Sequence, residues 1–139
     1  MILGIGSDLV NITRIEHLLQ TFGQRFKNRI FTPQEQTYCM AQYNISAAYA
    51  KRFAAKEACA KALGLGFQSG VRWIDIEILN TSFGKPFLRL TGKAQEHLTC
   101  LLQEHTSQEG RPFLSLSLCD EGSLAQAFVV ISYTIISGE

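Results

Sequence analysis

Between Asn44 and Gly64 the chain runs through an alanine-rich segment, ISAAYAKRFAAKEACAKAL, and no other stretch limits the possible folds so tightly. Alanine loses no side-chain entropy on entering a helix, Lys and Glu follow it closely in propensity, and Gly64 supplies a stop. The pattern predicts one helix, capped by Ser46 and running through Leu63. Its small side chains permit close packing by whatever lies beside it.

At 139 residues the chain can bury a core without disulfides or a structural metal, and residues 1–139 are read as a single domain. Residues 2–10 are apolar and partly β-branched, which predicts a buried strand delivering Asp8 near its end. Ile12, Ile15, Leu18, Leu19 and Phe22 then recur at helical spacing, with Asn11 placed to cap the helix, Gly23 to end it and Arg14 on the exposed face. Thr32-Pro33-Gln34-Glu35 has the form of a capping box with proline at the first helical position, so another helix starts there. From Trp73 to Leu79 the residues alternate, Ile74, Ile76 and Ile78 against Trp73, Asp75 and Glu77, as expected of a half-buried strand. A turn-rich stretch from Asn80 to Lys85 leads to Pro86–Leu90 and completes a hairpin. Ala94, Leu98, Leu101 and Leu102 trace a further helix, and Thr106 to Arg111 reads as loop. Leu114, Leu116 and Leu118 alternate with Ser115 and Ser117, and residues 125–136 supply a last strand. Helices mixed with antiparallel hairpins give an α+β class, an antiparallel sheet packed against helices.

Composition removes several functions. A formal charge of +1 offers no global field for a polyanion, so nucleic acid is not expected as a partner. Cys39, Cys59, Cys100 and Cys119 are far apart, and neither they nor His17, His97 and His105 have zinc-ligand spacing; the cysteines read as reduced, mostly buried thiols and the histidines as surface or helix-end residues. The N-terminus lacks the basic and apolar regions of a signal peptide and no run is long enough for a membrane span, which points to the cytoplasm. Gly4-Ile5-Gly6 is not a dinucleotide fingerprint, for the third glycine and the distal acid are missing.

Two acids remain. Glu57 lies on a helical stripe with Phe53 and Lys61, where an exposed Glu–Lys pair is the ordinary reading. Asp8 follows an apolar strand, where helix initiation is the ordinary one. Together, two carboxylates and a lysine on short elements are also what a magnesium–diphosphate site requires, since magnesium takes hard oxygen ligands and bridges one or two carboxylates to substrate phosphates. Residue spacing alone leaves these readings open.

Residues 4–16, GIGSDLVNITRIE, and residues 52–64, RFAAKEACAKALG, resemble the two signature blocks of the holo-acyl-carrier-protein synthases, and Gly84-Lys85-Pro86 resembles that family's third block. Arg25 to Phe31, the Asp75-Ile76-Glu77 segment and residues 125–131 extend the similarity over nearly the whole chain. The resemblance implies a small phosphopantetheinyl transferase of α+β fold, assembled as a trimer with active sites between subunits and serving fatty acid biosynthesis. It implies that Asp8 and Glu57 hold Mg2+, that Lys61 sits by the diphosphate of coenzyme A, and that these three carry catalysis. Coenzyme A contacts are expected from Lys56, Lys61, Gly64, Gly66, Lys85 and Pro86, and acyl carrier protein contacts from Arg14, Arg25, Phe26 and Arg29, with Lys27 nearby. Phe26 and Phe31 can also be core residues. Leu65, Ser115 and Asp120 depart from the commoner family pattern, and Ser69 or a backbone amide would have to replace a hydroxyl lost at Leu65. The base that accepts the serine proton, Glu57 or a metal-bound water, stays open. A coenzyme A-binding regulatory module without transfer, or a scaffold whose basic face binds an acidic partner, are the alternatives.

Overall fold

The computed structural model describes residues 1–65 and 70–136. Strand β1 (Ile2–Asn11) passes into helix α1 (Ile12–Phe22) at Asn11, whose side chain accepts a hydrogen bond from the Thr13 amide, and Gly23 ends that helix. A short helix α2 (Gln24–Ile30), not anticipated from the pattern, precedes α3 (Pro33–Met40). The capping box is present: Thr32 Oγ1 accepts from the Glu35 amide and Glu35 Oε1 from the Thr32 amide. Helix α4 (Ile45–Ala62) follows, then hairpin strands β2 (Ile76–Asn80) and β3 (Pro86–Leu90), helix α5 (Gly92–His105), and the long strands β4 (Gly110–Glu121) and β5 (Leu124–Ile135).

Several boundaries differ from the sequence expectation. Asn44 caps α4 in place of Ser46, because its Oδ1 reaches the Ala47 amide at 3.0 Å while Ser46 is already helical. Trp73–Asp75 forms a 3₁₀ turn rather than the first half of a strand; Asp75 folds back to accept from the Arg72 amide at 2.9 Å and is buried, as is Glu77. Strand β4 begins inside the expected loop. Cys39 and Cys59 are buried, but Cys100 and Cys119 are exposed.

The strands divide into two sheets, an antiparallel β1-β5-β4 and the antiparallel hairpin β2-β3. In the larger sheet, Gly4, Gly6, Asp8 and Val10 share a face with their partners Ile131, Val129, Ala127 and Ala125, and with Leu114, Leu116 and Leu118 of β4. Helix α4 packs on this face. A Cβ on Gly6 would lie 1.9 Å from the Ala58 carbonyl oxygen, and one on Gly4 equally close to that of Ala62. The two glycines are therefore places where the strand backbone meets the helix backbone. Among the described residues no element covers the opposite face: Ile5, Leu9, Phe113 and Phe128 stand exposed on it, so β1 is buried on one side only.

Candidate active site

The glycines position the acids. Asp8 is the next residue after Gly4 and Gly6 on the face of β1 turned to α4, and it meets the stripe on which Glu57 and Lys61 stand one helical turn apart. Lys61 Nζ donates to Asp8 Oδ1 at 3.2 Å and to the Ser7 carbonyl at 2.9 Å. Glu57 is half-buried, and its carboxyl is pushed above the usual carboxylate range, first by burial and next by the charge on Asp8, while Lys61 and Arg14 pull the other way. Arg14 reaches the same place from α1, its guanidinium 5.8 Å from the centre of the Phe53 ring. The structure thus brings Asp8, Glu57, Lys61 and Arg14 into one constellation.

Two neighbouring carboxylates, one of them disfavoured in its ionised form by burial and by the other's charge, make a donor set that a hard divalent cation would relieve. Among the described residues no cluster of three or more His, Cys, Asp or Glu is present, so a cation here would have to complete its shell with phosphate oxygens and water. That is the way magnesium is held at phosphate-handling sites. The residues fit the ion.

Lys56 does not reach a ligand as expected: it is wholly buried, with its ammonium donating to Glu35 Oε1 at 2.7 Å, the Ile76 carbonyl at 2.6 Å and the Trp73 carbonyl at 3.1 Å. Three donors are all an ammonium has. None remains for a ligand.

A concavity of about 360 Å³ opens on another side of α4. It is lined by Lys51 and Arg52 of the helix, Asn80, Gly84 and Pro86 of the hairpin, and Asp120 at the end of β4. Arg52 lies over the Tyr38 ring, 4.0 Å from its centre, and donates to Asn80; its Nε is buried without a partner. Lys51 pairs with Asp120 at 3.0 Å. Sequence reasoning missed Lys51 and Arg52 as site residues, although an arginine buried among alanines is itself a signal. Of the third block, Gly84 and Pro86 line this concavity and Lys85 is exposed beside it. Arg52 and Glu57 are five residues apart, so they project about 140° apart around the helix. One chain presents the acids and the concavity on different faces.

Gly64, with φ +76°, follows the end of α4 next to Leu65, which packs against the core. Gly66 and Ser69 lie outside the described residues. Ser115 is exposed on the uncovered face of the large sheet.

Arg14, Arg25 and Arg29 are exposed, as a docking face for an acidic partner requires. Phe26 is less available than expected: it is half-buried, edge-on to Phe31 with ring centres 6.0 Å apart, and Phe31 is core. Lys27 leans inward over Tyr49. His17 and His105 make helix-surface contacts to Thr21 and the Leu101 carbonyl.

Known proteins share both the sequence and the fold of this chain. The family model described as the 4′-phosphopantetheinyl transferase superfamily matches residues 4–120. The holo-[acyl-carrier-protein] synthase of Methylorubrum populi is 50% identical over 138 residues, covering 99% of this chain and 98% of the relative. That of Cereibacter sphaeroides is 48% identical over 131 residues, covering 94% and 93%. Among solved structures, the enzyme of the same name from Neisseria meningitidis superposes with a TM-score of 0.77 at 39% identity over 95% of this chain and 99% of that one. The Helicobacter pylori enzyme in complex with coenzyme A gives 0.76 at 30% identity over 92% and 99%.

Proposed function

Because this chain belongs to the holo-[acyl-carrier-protein] synthases of the 4′-phosphopantetheinyl transferase superfamily, and transfers phosphopantetheine from coenzyme A to apo acyl carrier protein, we propose that Asp8, Glu57 and Lys61 form its reaction centre. The observation that carries this is the meeting of Asp8 with Lys61 and Glu57, residues far apart in sequence, at the point where β1 touches α4.

Asp8 and Glu57 would hold Mg2+. When bound, the ion supplies positive charge that orients the diphosphate and stabilises charge developing on it. Lys61 keeps Asp8 oriented through a 3.2 Å contact and has donor capacity left for a phosphate oxygen. The carrier serine oxygen attacks the phosphorus attached to pantetheine, a P–O bond forms, and the bond to the departing adenosine 3′,5′-bisphosphate breaks. The serine proton must leave as this happens. Glu57 is the carboxylate the chain itself supplies as acceptor at the point where β1 meets α4.

The concavity between Lys51, Arg52 and Pro86 is suited to the nucleotide end of coenzyme A, because its buried guanidinium retains an unpartnered Nε. Since that concavity and the acids lie on different faces of α4, a complete site is most simply built between subunits. The exposed apolar residues Ile5, Leu9, Phe113 and Phe128 give a second copy a surface to cover, in keeping with a homotrimer. Arg14, Arg25 and Arg29 would attract the acidic carrier protein. Among the described residues no helix is long and apolar enough to cross a membrane, and a cytoplasmic setting alongside fatty acid synthesis is part of the same reading.

The test is to incubate the chain with apo acyl carrier protein, coenzyme A and Mg2+, with and without a chelator, and read the carrier's intact mass. One phosphopantetheine gained only where magnesium is available supports the reading. Equal gain under chelation removes the metal from it.

A further inference from the structure

Lys56 and Glu35 take no part in the chemistry above, yet both side chains are fully buried at the junction of α3, α4 and the hairpin. Strand β2 pairs with β3 along one edge, which leaves its other edge in need of partners. Ile76 and Ile78 are two residues apart, so their backbone groups point toward the same edge. The Ile76 carbonyl accepts from Lys56 Nζ at 2.6 Å, and the Ile78 amide donates to Glu35 Oε2 at 3.1 Å. Glu35 Oε1 joins the arrangement to the start of α3 through the Thr32 amide at 2.9 Å. The ion pair therefore takes the place of a neighbouring strand.

One turn before Lys56 on the same face of α4, Arg52 donates to Asn80, the last residue of β2. Helix and strand are thus held together at both ends of β2. From Asn80 the hairpin continues to Gly84 and Pro86, which face Lys51 and Arg52 across the concavity.

We infer that Lys56 and Glu35 are positioning residues for coenzyme A: they seat the β2-β3 hairpin on α4 and so set the separation between the Arg52 wall and the Gly84–Pro86 wall, without touching the ligand. This rests on the reading of that concavity as the nucleotide site. Removing either partner leaves the other charge, and the backbone groups it serves, buried and unpaired.

The test measures the dissociation constant for coenzyme A, kcat and the thermal midpoint for Lys56→Met, Glu35→Gln, Arg52→Ala and Leu98→Val. Leu98 is a core residue of α5 and is no part of the concavity, so it reports simple destabilisation. Lys56→Met should weaken coenzyme A binding by about tenfold or more, as expected when a binding wall shifts, and Glu35→Gln by an intermediate factor. Leu98→Val should lower the midpoint and leave the dissociation constant unchanged. A Lys56→Met protein that melts earlier yet binds coenzyme A normally overturns the inference. Normal binding by Arg52→Ala would instead remove the nucleotide-site reading on which it rests. Should neither Lys56→Met nor Glu35→Gln fold, amide exchange in the unaltered protein decides: coenzyme A should slow exchange at Ile78, and exchange there unaffected by saturating coenzyme A overturns the proposal.

Discussion

Gly6 and Ala58 meet backbone to backbone: a methyl group on Gly6 would fall 1.9 Å from the Ala58 carbonyl oxygen. That contact sets the distance between the strand carrying Asp8 and the helix carrying Glu57. Gly6→Ala must push β1 and α4 apart, since the neighbour is rigid backbone rather than a side chain that can turn away. Destabilisation of about 1–3 kcal/mol is expected from such overpacking, read as a lower denaturant midpoint. Activity should fall further than the unfolded fraction explains, because Asp8 moves with the strand. A fully stable and active Gly6→Ala protein would show that the close approach is dispensable.

The carboxyl of Glu57 is held above its ordinary range in the metal-free protein, so the folded state binds its proton more tightly than the unfolded state does. Stability attributable to this group therefore falls as pH rises from the ordinary glutamate range through the raised value in the folded protein. Melting curves over this interval, compared with those of Glu57→Gln, should show the slope in the parent and lose it in the variant. Magnesium and coenzyme A together should reverse the loss at higher pH, where the carboxylate is free to bind. The same slope in both proteins would assign it to another group.

Charge reversal at Arg14 or Arg25 should weaken binding of the carrier protein by about tenfold, mainly through slower association, and make it less sensitive to salt. Coenzyme A affinity should change little at Arg25, which is exposed on α2. Arg14 also faces Glu57, so a modest fall in kcat is expected there and not at Arg25. Equal losses for both ligands at Arg25 would point to a folding defect.

Periodicity and capping made α1, α3, α4, α5 and the hairpin legible, because each is announced by local chemistry such as Asn11, the Thr32–Glu35 box or the alanine run. The 3₁₀ turn at Trp73–Asp75 was not, since Asp75 has the alternation of a strand residue until its carboxylate folds back onto Arg72. The role of Lys56 is hidden in sequence for a related reason: sequence shows a lysine beside Glu57, and only the fold reveals that Glu35 and the open edge of β2 consume its donors. The Asp8–Glu57 pair came from family resemblance, as neither acid stands out alone. In sequence Gly4 and Gly6 are part of the first signature block and an incomplete nucleotide motif; their use as contact points appears once α4 is laid against them.

Whether Asp8 and Glu57 act as a metal-holding pair is decided by the initial rate of phosphopantetheine transfer, read from the carrier's intact mass across a magnesium titration. Asp8→Asn and Glu57→Gln, shown to be folded by their melting curves, should each lose about a hundredfold or more in turnover, the scale found when a key electrostatic group is removed. Near-parental rates for either variant at saturating magnesium would contradict the assignment.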